Sequence, residues 1–458
     1  MPTAMTATDH GPQADTIFAL ASAPGRAAVA VVRVSGPASA EVCRRLTGRP
    51  PPPARQAVLR RLADAAGAPL DRGLLLWFPG PRSFTGEDVL ELQLHGGRGV
   101  LAGLLDTLAA VPGLRAAEPG EFSRRAFLNG RLDLTAVEGL ADLVAADTRA
   151  QARQALRQLE GELGRRYDAW RETLLWALAR LEAAIDFAPE EADVPADLAA
   201  AVGPAVGQLS AEIAAHLADG GRGERLREGL VVAVVGAPNA GKSSLVNRLA
   251  RREVAIVTAQ PGTTRDVLEV ELELDGYPVT LLDTAGLREA ADEAEAEGVR
   301  RARARAERAD LRLLLFDGAR WPALDPATLA LLDADARCVV NKADLLPAAG
   351  ALQIAEVPAL RLSCRTGEGF EGLLATLGAI AGERMAPGAS ALLTRSRHRA
   401  ALGATLEALD RFQRAQHGEL ALLAEDLRLA ARALGRITGR VGVDDILDRI
   451  FAEFCIGK

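Results

Sequence analysis

The chain has 458 residues, 49% of them hydrophobic and 25% charged, with a formal net charge of −7. That is enough chain for about two to four globular domains, each with its own core. The acidic balance and an aromatic share of 4% exclude a strongly basic nucleic-acid binder or a broad base-stacking platform, so any RNA contact has to come from local patches.

No apolar run reaches the roughly 18 residues that a membrane span needs. The first residues carry Asp9, His10 and Asp15 and lack the apolar stretch of a signal peptide. The cysteines, Cys43, Cys338, Cys364 and Cys455, are far apart and have no metal-ligand spacing, so a reducing cytoplasm is the expected compartment. Residues 16–36 read as two short strands around the turn Pro24-Gly25. A helix over 39–47, a strand at 74–78 (LLLWF), an alternating strand at 89–94 and a helix from about 100 to 110 follow. This is a small α+β domain, placed at 1–128. From Leu132 to about Arg227 the pattern is helical, with apolar positions such as Leu156, Leu159 and Leu163 at three- and four-residue spacing. The stretch from Thr394 to the end repeats that character. Helices on both sides of a self-contained α/β stretch suggest an insertion: a helical domain in two parts, 129–227 and 383–458, around an α/β domain at 228–382.

The inserted stretch opens on VVAVVGAPNAGKSS (231–244), a β-branched run, a glycine loop and then the helical pattern LVNRLA. Strand, loop and helix in that order make a phosphate cradle, because glycines let successive N–H groups turn toward an anion and the helix N-terminus adds partial positive charge. The cradle residues are Asn239, Ala240, Gly241, Lys242, Ser243 and Ser244. Lys242 can reach the β- and γ-phosphates, and the Ser243 hydroxyl can ligate magnesium. Of the 54 basic side chains only Lys242, Lys342 and Lys458 are lysines, so arginine serves wherever a generic positive charge suffices.

Past Pro261-Gly262, Thr263 and Thr264 lie where a mobile loop would bring a threonine hydroxyl to the magnesium, a role given to Thr264. The alternating strand with Leu268, Val270, Leu272 and Leu274 turns at Asp275-Gly276 and runs back into Asp283-Thr284-Ala285-Gly286. Asp283 there can hold magnesium through water, and the Gly286 N–H can face the γ-phosphate. Further strands are expected at 311–316, 337–341 and 359–363. In Asn341-Lys342-Ala343-Asp344 the carboxylate can accept from guanine N1–H and its amine together, which adenine cannot offer, while the asparagine braces the loop and the lysine stem covers the ring. Ser363-Cys364-Arg365 fits the short loop near guanine O6. A GTPase of the doubly wound P-loop class follows from these ordered motifs.

One position departs from signalling GTPases. Leu287 stands where those enzymes carry the glutamine that orients the attacking water. The acids that follow, Glu289, Asp292, Glu293, Glu295 and Glu297, are candidates for that task, though most must be solvated surface. The arginine runs at 300–308 and 395–399 (RSRHR) read first as solvated helix faces and second as RNA contacts.

The segments VVRVSG, SFTGEDVLELQLHGG and PGEFSRRAFLNGRLDL, the inserted GTPase stretch and the tail Cys455-Ile456-Gly457-Lys458 occur in the order seen in the MnmE (TrmE) family of tRNA-modification GTPases, and the chain resembles that family from about Asp15 onward. The resemblance implies an N-terminal domain that forms a homodimer and binds 5-formyl- or methylene-tetrahydrofolate through Arg33, Glu91, Arg131 and Lys458. It also implies a GTPase that depends on potassium held by Asn239, Thr258, Gln260 and Thr263, with Thr258 also beside the nucleotide. Glu295 would orient the catalytic water when two GTPase domains meet, with Lys242 as the other catalytic group. The implied function is installation of the aminomethyl or carboxymethylaminomethyl group at C5 of the wobble uridine of certain tRNAs, in a heterotetramer with a FAD-binding protein of the MnmG (GidA) type. Cys455 is read first as a small buried thiol and second as a nucleophile. A ribosome-assembly GTPase that binds rRNA is the rival reading, disfavoured by the acidic balance. A Ras-type membrane switch is a second rival, and it lacks both the glutamine and a prenylation box.

Overall fold

The computed structural model describes residues 15–186, 202–252, 254–256, 269–283, 309–347, 350–386, 393–415, 419–441, 447, 450–451, 454 and 457. The chain divides into two compact units: Met1–Ala141 with Leu159–Ala169 and Leu434–Lys458, and Asp142–Gln158 with Trp170–Ala433.

The first unit holds a sheet of β1 (Thr16–Leu20), β2 (Ala27–Ser35), β3 (Val58–Ala63), β4 (Pro69–Phe78), β5 (Val89–Gly96) and β6 (Leu114–Ala116) in the order β3-β4-β5-β2-β1-β6. All pairs are antiparallel except β1 with β6. Period-two alternation decides which side chains face the core. Val32 and Val34 of β2 and Leu90, Leu92 and Leu94 of β5 are buried in one cluster with Val42, Cys43 and Leu46 of helix Ser39–Thr47 and Leu101, Leu104 and Leu108 of helix Arg98–Ala109. Arg33 and Glu91, partners in the β2–β5 register, therefore lie on the other face. Helix Glu121–Leu128 is anchored by Arg125, only 2% exposed, which donates to Glu121 at 3.0 Å, Glu87 at 3.1 Å and Asp15 at 2.9 Å. A separate cluster joins Leu134 and Val137 to Leu447, Phe451 and Phe454 near the chain's end.

The second unit holds a sheet of β7 (Leu230–Gly236), β8 (Glu269–Leu274), β9 (Tyr277–Asp283), β10 (Leu311–Asp317), β11 (Ala336–Asn341), β12 (Leu352–Ile354) and β13 (Val357–Arg361) in the order β12-β13-β11-β10-β7-β9-β8. The inner five strands are parallel, with β8 and β12 antiparallel at the two edges. One face packs on helices Lys242–Ala250 and Phe370–Met385, and the other packs on a cluster around Leu314, Phe316, Cys338 and Val340. That is the doubly wound P-loop architecture. The strand order reverses across β7, between β10 and β9, and in such sheets ligands bind at that reversal, beyond the carboxyl ends of the strands. Helices Val202–Leu217 and Ser396–Arg414 pack together, and the Trp170 indole donates to Glu212 at 2.9 Å.

Two sequence expectations need correction. The stripe Leu156, Leu159, Leu163 is not one buried face: Leu156 is 44% exposed, and helix Arg149–Leu159 buries Ala150, Gln154, Ala155 and Gln158 instead. The run RSRHR is not a solvated face. His398 is fully buried, Arg395 pairs with Asp142 at 2.7 Å, and Arg399 pairs with Asp219 at 2.7 Å and Glu224 at 2.9 Å. Its partners are remote in sequence, so a local charge pattern could not reveal them. Strands β3, β6 and β12 carry little apolar alternation and were not legible. The arginines at 300–308 lie outside the described residues.

Candidate functional site

The loop after β7 sits where the reversal places it. Val234 is beside Asp283 of β9 and Gly236 is beside Leu315 of β10. Asn239 has φ +66° and Gly241 φ +101°, so the backbone curls through left-handed positions before helix Lys242–Ala250 begins. A Cβ on Gly241 would fall 2.2 Å from Asn341 Nδ2, so the close approach itself requires glycine. The first N–H groups of the helix have no intrahelical acceptor and are available to an anion. Lys242 Nζ donates to the Gly236 carbonyl at 2.8 Å and the Ala237 carbonyl at 3.0 Å, which lays the ammonium back across the loop. Ala240 is buried, whereas Asn239, Ser243 and Ser244 are exposed.

Asn341, at the carboxyl end of β11, holds the two ends of the site together. It is 2% exposed; its Nδ2 donates to the Ala240 carbonyl at 2.8 Å and its Oδ1 accepts from the Cys364 N–H at 3.1 Å. The phosphate loop and the loop after β13 thus share one amide. Arg248 of the loop's own helix adds a second tie, donating to the Cys364 carbonyl at 2.6 Å. Lys342 stands at φ +61° with Nζ 2.7 Å from Asp317 Oδ2, at the end of β10.

Asp344 accepts from the Ser363 hydroxyl on Oδ1 and from Arg365 Nε on Oδ2 at 3.0 Å. The Ser363 hydroxyl above all holds its carboxyl below the usual aspartate range; loss of hydration opposes it, and the Arg365 guanidinium adds to the lowering. It therefore stays an acceptor throughout the neutral range. Burial pushes the Cys364 thiol up to about 11, opposed by Arg248 and the bond with Asn341, so this cysteine stays protonated and chemically quiet. Asp283 is 3% exposed at the end of β9.

A second site lies in the first unit. Arg33 Nε and Nη2 both donate to Glu91 Oε1, at 3.0 and 2.8 Å, and the guanidinium lies over the rings of Phe84 and Phe122 at 5.3 and 5.7 Å. Glu91, Phe84 and Arg131 line a cavity of about 300 Å³ with Arg55, Phe78 and Arg82. Gly457 of the tail, at φ +102°, runs so close to β1 that a Cβ there would meet the Leu20 carbonyl at 2.2 Å.

Two family models cover the chain: the N-terminus of the GTP-binding protein TrmE over residues 16–131 and the MnmE helical domain over residues 134–455. The tRNA modification GTPase MnmE of Paramagnetospirillum magneticum is 56% identical over 97% of this chain and 100% of its own length. The chain belongs to the MnmE family. Among its other relatives, MnmE of Rhodospirillum rubrum is 54% identical over 97% of this chain and 99% of that protein. A human mitochondrial 5-taurinomethyluridine tRNA synthase subunit is 50% identical over 97% of this chain and 93% of that protein. The solved G domain of the Thermotoga maritima iron transporter FeoB is 25% identical over 33% of this chain and 98% of its own, with a TM-score of 0.23, too loose to add to the fold described above.

Set against the MnmE pattern, the structure brings Asn239 to Ser244, Asp283, Asn341, Lys342, Asp344 and Ser363 to Arg365 to one end of the β7 sheet, and Glu91 and Arg131 to one pocket, with Arg33 paired to Glu91 behind it. Thr258, Gln260, Thr263, Thr264, Thr284, Ala285, Gly286, Glu295, Cys455 and Lys458 lie outside the described residues. Sequence reasoning missed Asp317, Arg248, Phe84 and Phe122. Asp317 had one available signal, its place at the carboxyl end of a parallel strand. Phe84 and Phe122 stood in plain view inside SFTGED and PGEF, but nothing local told that Arg33 would lie across both rings. Among the described residues there is no helix long and apolar enough to cross a membrane and no group of three or more His, Cys, Asp or Glu side chains placed to hold a metal.

Proposed function

We propose that this chain is a GTP hydrolase that acts in tRNA modification, installing with a FAD-binding MnmG-type partner the aminomethyl or carboxymethylaminomethyl group at C5 of the wobble uridine. The observation that carries the reading is the Asn341 bridge. One buried amide ties the loop after β7 to the loop after β13, which packs against an Asp344 held in its ionised form, and this supports phosphate and guanine being bound side by side. The identity to MnmE proteins over nearly the whole chain supplies the tRNA context.

The residue roles follow chemically. The loop N–H groups at 239–244 and Lys242 would hold the phosphates; Asp344, Lys342 and the 363–365 loop would hold guanine; Asn341 positions both. Ser243, Thr264 and Asp283 would serve magnesium, a hard ion suited to their oxygens. Asn239, an exposed amide on the loop, with Thr258, Gln260 and Thr263, would serve potassium, whose charge would offset that on the phosphates as an arginine finger does elsewhere. Glu295 would orient water in place of the missing glutamine.

The pocket of the first unit fits a tetrahydrofolate. Arg33 occupies only Oε1 of Glu91, so Oε2 can accept from a pterin, Phe84 and Phe78 supply apolar wall, and the cavity has the size of a small-molecule site. A bound folate would supply the one-carbon unit, and Arg131 and Lys458 would pair with its acidic end. Homodimer formation is supported by Leu59 and Leu74, register partners on β3 and β4 that are 50% and 38% exposed. The division at 128, 227 and 382 is supported by a helical-domain match that runs on both sides of the phosphate loop. Mass spectrometry of wobble uridines tests the whole reading. Cells lacking the protein should lose the C5 aminomethyl-type groups, and their full retention would refute it.

A further inference from the structure

The second unit contains a cavity of about 860 Å³ lined by none of the GTP-site residues. One wall is helix Arg149–Leu159, and its pattern is inverted: Leu156 faces solvent while Gln154 and Gln158 are 6% and 0% exposed. A helix placed there only to pack would turn leucine inward.

The three wall glutamines differ in one respect. Gln151 donates to the Arg227 carbonyl at 3.0 Å, and Gln158 accepts from the Thr394 hydroxyl at 2.9 Å. Gln154 has no partner for either its Nε2 or its Oε1. A buried amide with both donor and acceptor unused is a costly and uncommon state, which asks for a ligand.

The charges on the wall say which kind. Its carboxylates, Asp142, Glu224, Glu228 and Asp310, are all paired with arginines at 2.7 to 3.2 Å. An ionic ligand would have to break a pair or bring its own counter-ion, so the complement is neutral. From the inverted helix face, the unpartnered amide and the closed charge pairs we infer that this cavity binds a nucleobase, whose adjacent N–H donor and ring-nitrogen acceptor meet the Gln154 amide edge to edge. Adenine offers that pair at N6 and N7, the edge a glutamine amide reads in nucleic acids. The cavity has room for base and sugar together. A free nucleoside and an unpaired base of an RNA strand present the same edge.

The test uses the full chain with saturating GDP, so that the guanine site is closed to the probes, and GDP affinity is measured on every sample. Saturation-transfer NMR is recorded with adenosine and, separately, with a short single-stranded oligoadenylate. Adenosine should receive transfer from the native chain and bind at least about tenfold more weakly to Gln154→Leu, with GDP affinity unchanged; the factor reflects one lost bidentate contact. Transfer to the oligoadenylate alone, lost in the same variant, supports the site with RNA as the source. If Gln154→Leu does not fold, Ala145→Trp, which narrows the cavity from its exposed rim, takes its place. No transfer to either probe, or transfer that neither substitution weakens, overturns the proposal.

Discussion

Asp344 is the acceptor proposed for the guanine base, and its environment sets what it does with pH. Hydrogen bonds from Ser363 and Arg365 favour the ionised form, so its folded-state value lies below the unfolded one. The contribution of such a group is present above the unfolded value and is lost only as the pH falls through the folded one. GDP affinity should therefore show no loss attributable to this carboxylate between about pH 8 and pH 5. Asp344→Asn replaces an acceptor pair by one acceptor and one donor and removes the charge. It should weaken GDP about 10- to 100-fold in isothermal titration, the worth of one charge-assisted hydrogen bond. Cys364 shows the opposite shift. With its thiol pushed up to about 11, alkylation at this residue should be slow at neutral pH and accelerate about tenfold per pH unit toward that value, read by peptide mass spectrometry after timed iodoacetamide labelling.

Among the elements, helix Glu121–Leu128 shows how long-range charge fixes a local segment. Arg125 is buried against Glu121, Glu87 and Asp15, and no i,i+4 rule could have named the last two. Arg125→Ala should cost about 3–5 kcal/mol in urea unfolding, because it leaves Glu87 without its cation and Glu121 and Asp15 with Arg115 alone; a change below about 1 kcal/mol would place the helix's anchorage elsewhere. Helix Arg149–Leu159 teaches a related lesson. Its leucine spacing looked amphipathic, yet the buried stripe is alanine and glutamine, on a wall where apolar side chains alternate with paired charges. Strand β5 was legible, since its alternation VLELQL faces an apolar layer on one side and a polar-lined cavity on the other.

For the whole molecule, Leu287 stands where signalling GTPases carry a water-orienting glutamine, and the proposed remedy is a potassium ion with Glu295. GTP hydrolysis should be markedly faster in potassium than in sodium. Glu295→Ala should keep GDP affinity within about twofold while losing most turnover, a loss of transition-state stabilisation without loss of ground-state binding. Equal rates in the two salts, or near-normal turnover of the variant, would remove that assignment.

The P-loop GTPase fold was readable from the linear chain because its motifs are short and contiguous, built from backbone N–H groups and side chains a few residues apart. Gly236 to Ser244 spells strand, loop and helix within one stretch, and Asn341 to Asp344 places its polar side chains within four residues. The sequence by itself thus determined the α/β class, the order of the nucleotide motifs and the family. Tertiary structure alone decided that Asn341 would clasp Ala240 and Cys364, that Arg33 would lie across Phe84 and Phe122, that the arginines of RSRHR would be paired, and that Gln154 would be buried without a partner. The first three join residues distant along the chain and the last is burial itself; both come from packing, which no local pattern encodes.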